Sequence, residues 1–227
     1  MVFVLPIGII SSGEESSSSS GITKQSQVMG SFDEILDIAL IRDASGDAEE
    51  ENEEDHEEVL AIDRPMRVAV ISNSPHVQIM DSSAETINLL GHEDVVLSVD
   101  ASPDGKWLVT SSKDRTCRVW SVDSYACVGV AEGHTDAVGC VALSQRISTY
   151  SSKLAAVISG GSDKVLKRWS FNPVLTYPSS SSASPVRLVA SHSVRAHDKD
   201  INTVAVAPND SMVASGSQDS KIRLWTM

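Results

Sequence analysis

The sequence predicts an all-β fold, an incomplete β-propeller of about four blades. A Gly-His or Ala-His pair occurs three times, and each is followed by a stretch that ends in tryptophan: His92–Trp120, His134–Trp169 and His197–Trp225. Each stretch also contains a Ser or Thr followed four residues later by Asp, with the tryptophan six residues after that Asp. Repeats of roughly 40–45 residues with these markers are typical of propeller blades.

The central repeat shows how one blade is built. VVLSVDA, KWLVTSS and TCRVWSV alternate side chains as strands do, and turn sequences separate them at 102–105 and 113–115. Tyr125–Ala131 supplies the fourth, outer strand of a four-stranded antiparallel blade. The predicted blades are blade 1 at 31–90, blade 2 at 91–132, blade 3 at 133–195 and blade 4 at 196–227.

Two insertions and an irregular first blade interrupt the pattern. An acidic insertion at 43–58 divides blade 1, a Ser- and Pro-rich insertion at 172–185 divides blade 3, and residues 1–30 form a disordered Ser-rich segment by composition. Blade 1 has Met80 at the tryptophan position, so it should pack by hydrophobic contact alone. Val186–Val194 is expected to be the outer strand of blade 3.

Blade 4 reaches Trp225 and ends at Met227 without an outer strand. Propellers have four to eight blades and close by pairing their first and last strands. We therefore expect the 227-residue chain to be a fragment of a larger propeller, or the product of a truncated gene model.

Composition narrows the classes of function. The net charge is −13, but nine acidic residues lie within 47–58, so the remainder carries only −4 and shows no basic face for nucleic acid. The acidic run is either a solubilising loop or a counter-charge for basic proteins. Cys117, Cys127 and Cys140 lack paired metal-ligand spacing, which indicates packed thiols in a reducing compartment and no metal site.

The apolar decapeptide at the start of the chain has several interpretations. MVFVLPIGII has no basic n-region, since the first lysine is Lys24, and it is too short to span a bilayer. A strand from a preceding repeat or an artefactual start is favoured over a weak signal peptide. No membrane partner is expected.

The repeats resemble those of the WD-repeat family, in which a buried tryptophan is satisfied by a chain of Ser or Thr, His and Asp. None of the three tryptophans precedes the Asp that names the family, because Ser121, Ser170 and Thr226 stand there. The resemblance implies three structural tetrads. They are His92, Thr110, Asp114 and Trp120; His134, Ser159, Asp163 and Trp169; and His197, Ser215, Asp219 and Trp225.

The same residue types make up the catalytic triads of hydrolases, so a nucleophilic site is the alternative. We interpret the three sets as structural, because a catalytic set is needed once whereas this set recurs with its own tryptophan in every copy. The hydroxyl residue also lies within a strand and lacks the Gly-flanked elbow of hydrolases. The sequence therefore predicts no enzyme activity, no cofactor and no small-molecule substrate.

Longer segments resemble the small-subunit processome family of WD-repeat proteins, called transducin beta-like 3 in animals and Tormoz in plants. The resemblance covers about residues 31–227 and includes LLGHEDVVLSVDASPDGKWLVTSSKDRTCRVW and AHDKDINTVAVAPNDSMVASGSQD. Family members have two tandem propellers and a C-terminal helical domain. This chain would correspond to the opening blades of the second propeller.

That resemblance implies a non-enzymatic nucleolar scaffold that supports pre-rRNA processing and assembly of the 40S subunit. The implied partners are other processome proteins, with small nucleolar RNA and pre-rRNA contacted indirectly. The alternative is a WD-repeat adaptor of another complex, such as a ubiquitin-ligase substrate receptor. Such receptors often carry Arg three residues after the tryptophan, where this chain has Asp123 and Asn172.

Overall fold

The structure is a computed structural model that describes residues 34–42, 66–81, 85–146, 155–171 and 184–227. These residues form strands and turns, and no helix occurs among them. The strands assemble into four separate sheets that follow one another along the chain. The fold is therefore all-β, and the four sheets are the blades of an incomplete propeller.

Blade 1 is a sheet of four antiparallel strands in chain order. They are β1 Ile35–Arg42, β2 Met66–Ser72, β3 Val77–Met80 and β4 Thr86–Leu89. Met80 pairs with Val68 in the register that Trp120 keeps with Leu108 in blade 2, and Val70 takes the place of the hydroxyl residue Thr110. Val70 and Met80 are both buried, so apolar side chains replace a hydrogen-bonded set here.

Blades 2 and 3 repeat this four-stranded unit. Blade 2 contains β5 Val96–Ala101, β6 Trp107–Ser112, β7 Thr116–Ser121 and β8 Cys127–Glu132; blade 3 contains β9 Val138–Leu143, β10 Ala155–Gly161, β11 Val165–Phe171 and β13 Val189–Arg195. In blade 4, three strands are described, namely β14 Ile201–Val206, β15 Met212–Ser217 and β16 Ile222–Thr226.

The segment before β13 departs from the sequence prediction. The strand β12, Val186–Arg187, pairs in parallel with β8 of blade 2 and not with β11 of blade 3. Leu188 extends this contact, since its N–H donates to the carbonyl of Val130 at 2.8 Å and its side chain is buried beside Gly129. The outer strand of blade 3 thus begins at Val189, and the preceding residues join blade 2 to blade 3.

Two turn predictions correspond to turns in the structure. Gly105 closes the turn at 102–105 with φ +68°, and its N–H donates to the carbonyl of Ser102 at 2.9 Å. A Cβ at this position would lie 1.5 Å from the carbonyl oxygen of Arg42, so only glycine fits. The second turn places Arg115 at φ +70°, directly after Asp114.

The core lies between successive blades. One cluster joins blades 1 and 2, a second joins blades 2 and 3, and a third joins blades 3 and 4. In the second cluster the rings of Trp107 and Phe171 meet edge to face, with centroids 5.1 Å apart. Because each sheet packs on its neighbours, the stability of the fold depends on the interfaces between blades.

Several sequence predictions lie outside the described residues. They concern the N-terminal segment 1–30, the acidic insertion 43–58 and most of the insertion 172–185, of which residues 184 and 185 are described. The predicted domain boundaries that depend on these segments stay predictions.

Candidate functional site

The His, Thr, Asp and Trp of blade 2 form one continuous hydrogen-bonded chain. The indole Nε1–H of Trp120 donates to Thr110 Oγ1 at 2.9 Å. Thr110 Oγ1 lies 2.8 Å from His92 Nε2, and His92 Nδ1 lies 2.7 Å from Asp114 Oδ2. These hydrogen bonds cross the blade from β7 through β6 to the segment that precedes β5.

Blades 3 and 4 contain the same chain at nearly the same distances. In blade 3 the three links are Trp169 to Ser159 at 2.8 Å, Ser159 to His134 at 2.7 Å and His134 to Asp163 at 2.8 Å. In blade 4 they are Trp225 to Ser215 at 2.9 Å, Ser215 to His197 at 2.8 Å and His197 to Asp219 at 3.0 Å. The structure therefore brings together all twelve residues singled out in the sequence, in three sets of four.

The direction of each hydrogen bond follows from which of the groups can donate and which can accept. The indole can only donate, so each hydroxyl oxygen accepts from tryptophan and turns its own proton toward His Nε2. The histidine then accepts at Nε2 and donates from Nδ1 to the carboxylate. All four groups are hydrogen-bonded within the tetrad when the imidazole is neutral, and the protons of the indole, the hydroxyl and the imidazole are all donated inside it.

Each aspartate also holds the turn that follows the hydroxyl-bearing strand. Asp114 Oδ2 accepts the backbone N–H of Glu93 at 3.1 Å, and its Oδ1 accepts that of Thr116 at 2.8 Å. The other two aspartates bind the equivalent N–H groups, Thr135 and Val165 in blade 3, Asp198 and Lys221 in blade 4. The carboxylate thus joins the turn before the inner strand to the turn between the second and third strands.

Burial and hydrogen bonding shift the pKa values of these groups in defined directions. Desolvation by burial lowers the pKa of His134. Burial alone would raise the pKa of Asp114, but hydrogen bonds from His92 and Thr116 outweigh it and hold that pKa well below its usual range. Asp219 behaves in the same way, and hydrogen bonds from Asp198 and His197 lower its pKa to about 2.

These shifts predict a loss of stability in acid in two stages. His134 has a folded pKa below its unfolded value, so its contribution is complete above about pH 6.5 and falls as the pH drops through the folded pKa. Asp114 and Asp219 contribute fully above about pH 4 and lose that contribution as the pH falls toward 2. Urea titrations between pH 7.5 and 2 should show both stages, and His134→Asn should weaken the first. A constant unfolding free energy over that whole range would contradict the prediction.

The glycine of the Gly-His pair in blade 2 lies close to two side chains, whereas blade 4 has Ala196 at the equivalent position. A Cβ on Gly91 would lie 2.6 Å from the guanidinium of Arg118 and 3.1 Å from the ring of Trp120. The tetrad tryptophan and the basic residue two positions before it therefore occupy the space beside the backbone at this point. A side chain at position 91 would force one of them to move.

Three aspartates between blades were not identified from the sequence. Asp37 accepts the N–H of Val99 at 3.1 Å, and Asp100 accepts that of Leu143 at 2.8 Å, so each binds the first strand of the next blade. Asp210 of blade 4 accepts from Ser144 and Gln145 of blade 3. Burial raises the pKa of Asp100, against its backbone hydrogen bonds. For Asp37 and Asp100 the signal in the sequence is an aspartate inside an apolar strand, as in VLSVDA, whereas Asp210 lies in the turn between β14 and β15.

The cysteines lie in the sheets and form no disulfide. Cys117 and Cys140 are buried, and desolvation by burial raises both pKa values, that of Cys140 to about 12. Thiolate chemistry is therefore suppressed at both positions. In the described part of the chain, no group of three or more His, Cys, Asp or Glu has the geometry to hold a metal ion.

The repeats match a known sequence family. The model of the WD domain, G-beta repeat matches residues 84–121, 125–170 and 188–226, which together make up more than half of the chain. The chain belongs to the WD-repeat family. The three matches contain the three tetrads, and none covers β1 to β3, where Met80 and Val70 replace tetrad residues.

Individual WD-repeat proteins are similar over most of this chain. Transducin beta-like protein 3 of Bos taurus is 36% identical over 165 residues, which is 70% of this chain and 20% of that protein. U3 small nucleolar RNA-associated protein 13 of Saccharomyces cerevisiae is 31% identical over 175 residues, 71% of this chain and 21% of that protein. The Ribosome biogenesis protein WDR12 homolog of Oryza sativa is 27% identical over 136 residues, which is 60% of this chain and 29% of that protein. The chain spans about a fifth of the length of the first two.

The described residues also contain no helix with the length and hydrophobicity needed to cross a membrane.

Proposed function

We propose that this chain is a non-enzymatic WD-repeat scaffold of the nucleolar small-subunit processome, supporting pre-rRNA processing and 40S assembly. The observation that carries the proposal is the similarity over about 70% of the chain to Transducin beta-like protein 3 and to U3 small nucleolar RNA-associated protein 13. The second of these names states an association with U3 small nucleolar RNA. A WD-repeat platform made of rigid blades suits such an assembly role.

The geometry of the tetrads supports a structural role for them. The hydroxyl groups of Thr110, Ser159 and Ser215 are buried and each already accepts an indole N–H. A nucleophilic hydroxyl must reach a substrate on a concave surface, and these lie inside the sheets. We therefore propose that the tetrads stabilise each blade by connecting its strands and turns through buried hydrogen bonds.

The polar turns beside the tetrads offer a surface for protein partners. Around blade 2 this rim exposes Glu93, Asp94, Lys113 and Arg115, which carry charges of both signs. Mixed charge suits a protein partner with complementary groups, whereas direct binding of RNA favours a continuous basic patch. We propose that other processome proteins bind here and that small nucleolar RNA and pre-rRNA are contacted through them.

The experiment expresses the tagged chain in cells, images it and purifies it with its partners. We expect nucleolar localisation and enrichment of processome proteins, U3 small nucleolar RNA and pre-rRNA. The double variant Lys113→Glu with Arg115→Glu should lose the proteins and the RNA together. The control is Arg42→Glu with Arg146→Glu, which makes the same charge change at exposed residues at the far ends of the first strands of blades 1 and 3 and should keep both. Ultraviolet cross-linking should mark the associated proteins with RNA more strongly than this chain.

A different outcome would favour the adaptor alternative. Diffuse localisation outside the nucleolus together with enrichment of ubiquitin-ligase subunits would overturn the processome proposal. If the double variant Lys113→Glu with Arg115→Glu kept all partners, the scaffold proposal would stand, but the partners would bind at a surface other than this rim.

A further inference from the structure

The outer edge of blade 2 is covered by another segment of the same chain. The strand β12 pairs in parallel with β8 and becomes a fifth strand of that sheet. The N–H of Leu188 donates to the carbonyl of Val130 at 2.8 Å, the side chain of Leu188 is buried, and Arg187 lies 3.4 Å from Glu132. The molecule therefore contains one example of an extended segment that binds a blade edge through its backbone, an apolar side chain and an ion pair.

The outer edge of blade 3 is uncovered in the part of the chain that the structure describes. The strand β13 is the last strand of its sheet, and no described strand pairs with its second edge. All seven residues of β13 are exposed, including Val189 at 71% and Val194 at 41%. An edge of this length presents a row of N–H and C=O groups that can pair with the backbone of another chain.

The charge at this edge indicates the class of partner. The strands β11 and β13 together contain Lys167, Arg168, His192 and Arg195 but no aspartate or glutamate, in a chain with a net charge of −13. Arg168 reaches the edge strand itself, since its Nη1–H donates to Ser191 Oγ at 3.2 Å. A second copy of this edge would bring like charges together, whereas an acidic segment would be attracted to it.

The two faces of β13 differ in chemistry. In the register with β11, Val189, His192 and Val194 lie on one face, whereas Arg195 lies on the face that also contains Lys167. A strand added to this edge alternates its own side chains between the same two faces. Valine at every second position would lie beside the exposed valines of β13, and glutamate at the positions between would lie on the face of Arg195.

We propose that the outer edge of β13 is a docking site for an extended acidic segment of a partner protein, which adds to blade 3 as a fifth strand. Main-chain hydrogen bonds to β13 supply affinity, and the cations of β11 and β13 supply the preference for acidic side chains. This edge is separate from the polar rim that we propose as the docking surface for processome proteins. The two proposals can therefore fail independently.

A fluorescein-labelled peptide of alternating glutamate and valine tests the proposal when it is titrated with the full 227-residue chain and followed by anisotropy. We expect saturable binding that weakens as salt is added, because the attracting charges are exposed. A peptide with proline in place of each valine has the same charge but lacks every second N–H, so it should not bind. A peptide of alternating lysine and valine should also fail to bind, because its charges are repelled.

A charge reversal at the end of β13 tests the preference for acidic side chains. Arg195→Glu should weaken binding of the glutamate and valine peptide about five- to tenfold, because an attracting charge becomes a repelling one. The matched control is Arg146→Glu, which makes the same charge change at an exposed residue of the same blade, beyond the end of β9, and should keep the affinity. Circular dichroism confirms that both variants are folded.

Hydrogen exchange locates the bound peptide. It should protect the amides of residues 189–195 and leave those of β4 unchanged, because β4 is the outer strand of blade 1 but contains no basic residue. Equal binding of the proline peptide, equal protection of β4 or an unchanged affinity in Arg195→Glu would overturn the proposal. Binding of a single-stranded RNA oligonucleotide in place of the acidic peptide, with the same dependence on Arg195, would also overturn it and assign the edge to RNA.

Discussion

Replacing Trp169 by alanine is expected to lower the free energy of unfolding by about 3–5 kcal/mol, the range for deleting a fully buried aromatic ring. Trp169 is 1% exposed and packs in the core cluster between blades 2 and 3. Its ring lies 6.1 Å from the ring of His134, and Lys167 Nζ lies 5.6 Å from its centroid. The substitution removes these contacts and leaves the hydroxyl of Ser159 without its indole donor. Denaturant titration at one fixed protein concentration measures the change.

The matched control is Trp225→Ala in blade 4. Trp225 makes the same hydrogen bond to Ser215, but it lies in β16, an edge strand of its sheet, and is only partly buried. The same substitution should therefore cost less than at position 169. Equal losses at both positions would show that burial between blades 2 and 3 is not the source of the effect.

The parts of the fold that were predictable from the sequence are those encoded locally. A blade repeats its turn chemistry and the spacing between Asp114 and Trp120, so three blades and their strand order follow from the pattern of a single chain. The histidine comes from a segment 18 residues before Thr110, and the resemblance to a known family was needed to connect it. The incomplete propeller was predictable for the same reason, since blades are counted by their repeats.

The contacts that were not predicted connect segments that no repeat relates. Val186 and Arg187 follow a long Ser- and Pro-rich insertion, and their apolar and basic side chains fit the outer edge of either blade 2 or blade 3. In the structure these two residues pair in parallel with β8, and Leu188 fills the space beside Gly129. The carboxylate of Asp100 finds the N–H of Leu143 only after blades 2 and 3 have packed. Partners of this kind depend on tertiary distance and not on local spacing.

Replacing Thr110 by valine tests the hydrogen-bonded chain apart from packing, because valine has nearly the same shape. The change leaves the indole N–H of Trp120 without its acceptor and His92 Nε2 without its donor, and both groups stay buried. A buried polar group that loses its partner costs about 1–3 kcal/mol, so two such groups predict a loss of about 2–6 kcal/mol. A urea titration of the folded chain, with near-ultraviolet circular dichroism to follow the tryptophan environment, measures it.

Thr110→Ser is the control that the chain itself suggests, since serine performs the same role at positions 159 and 215. It keeps the hydroxyl and removes one methyl group, so it should cost only about 1 kcal/mol, close to the value for one buried methylene. The difference between the valine and serine variants then isolates the two hydrogen bonds. If the valine variant proved as stable as the serine variant, the hydrogen bonds from Trp120 and to His92 would make no net contribution to stability. The stabilisation that we propose for the tetrad in each blade would then come from packing of the tryptophan alone.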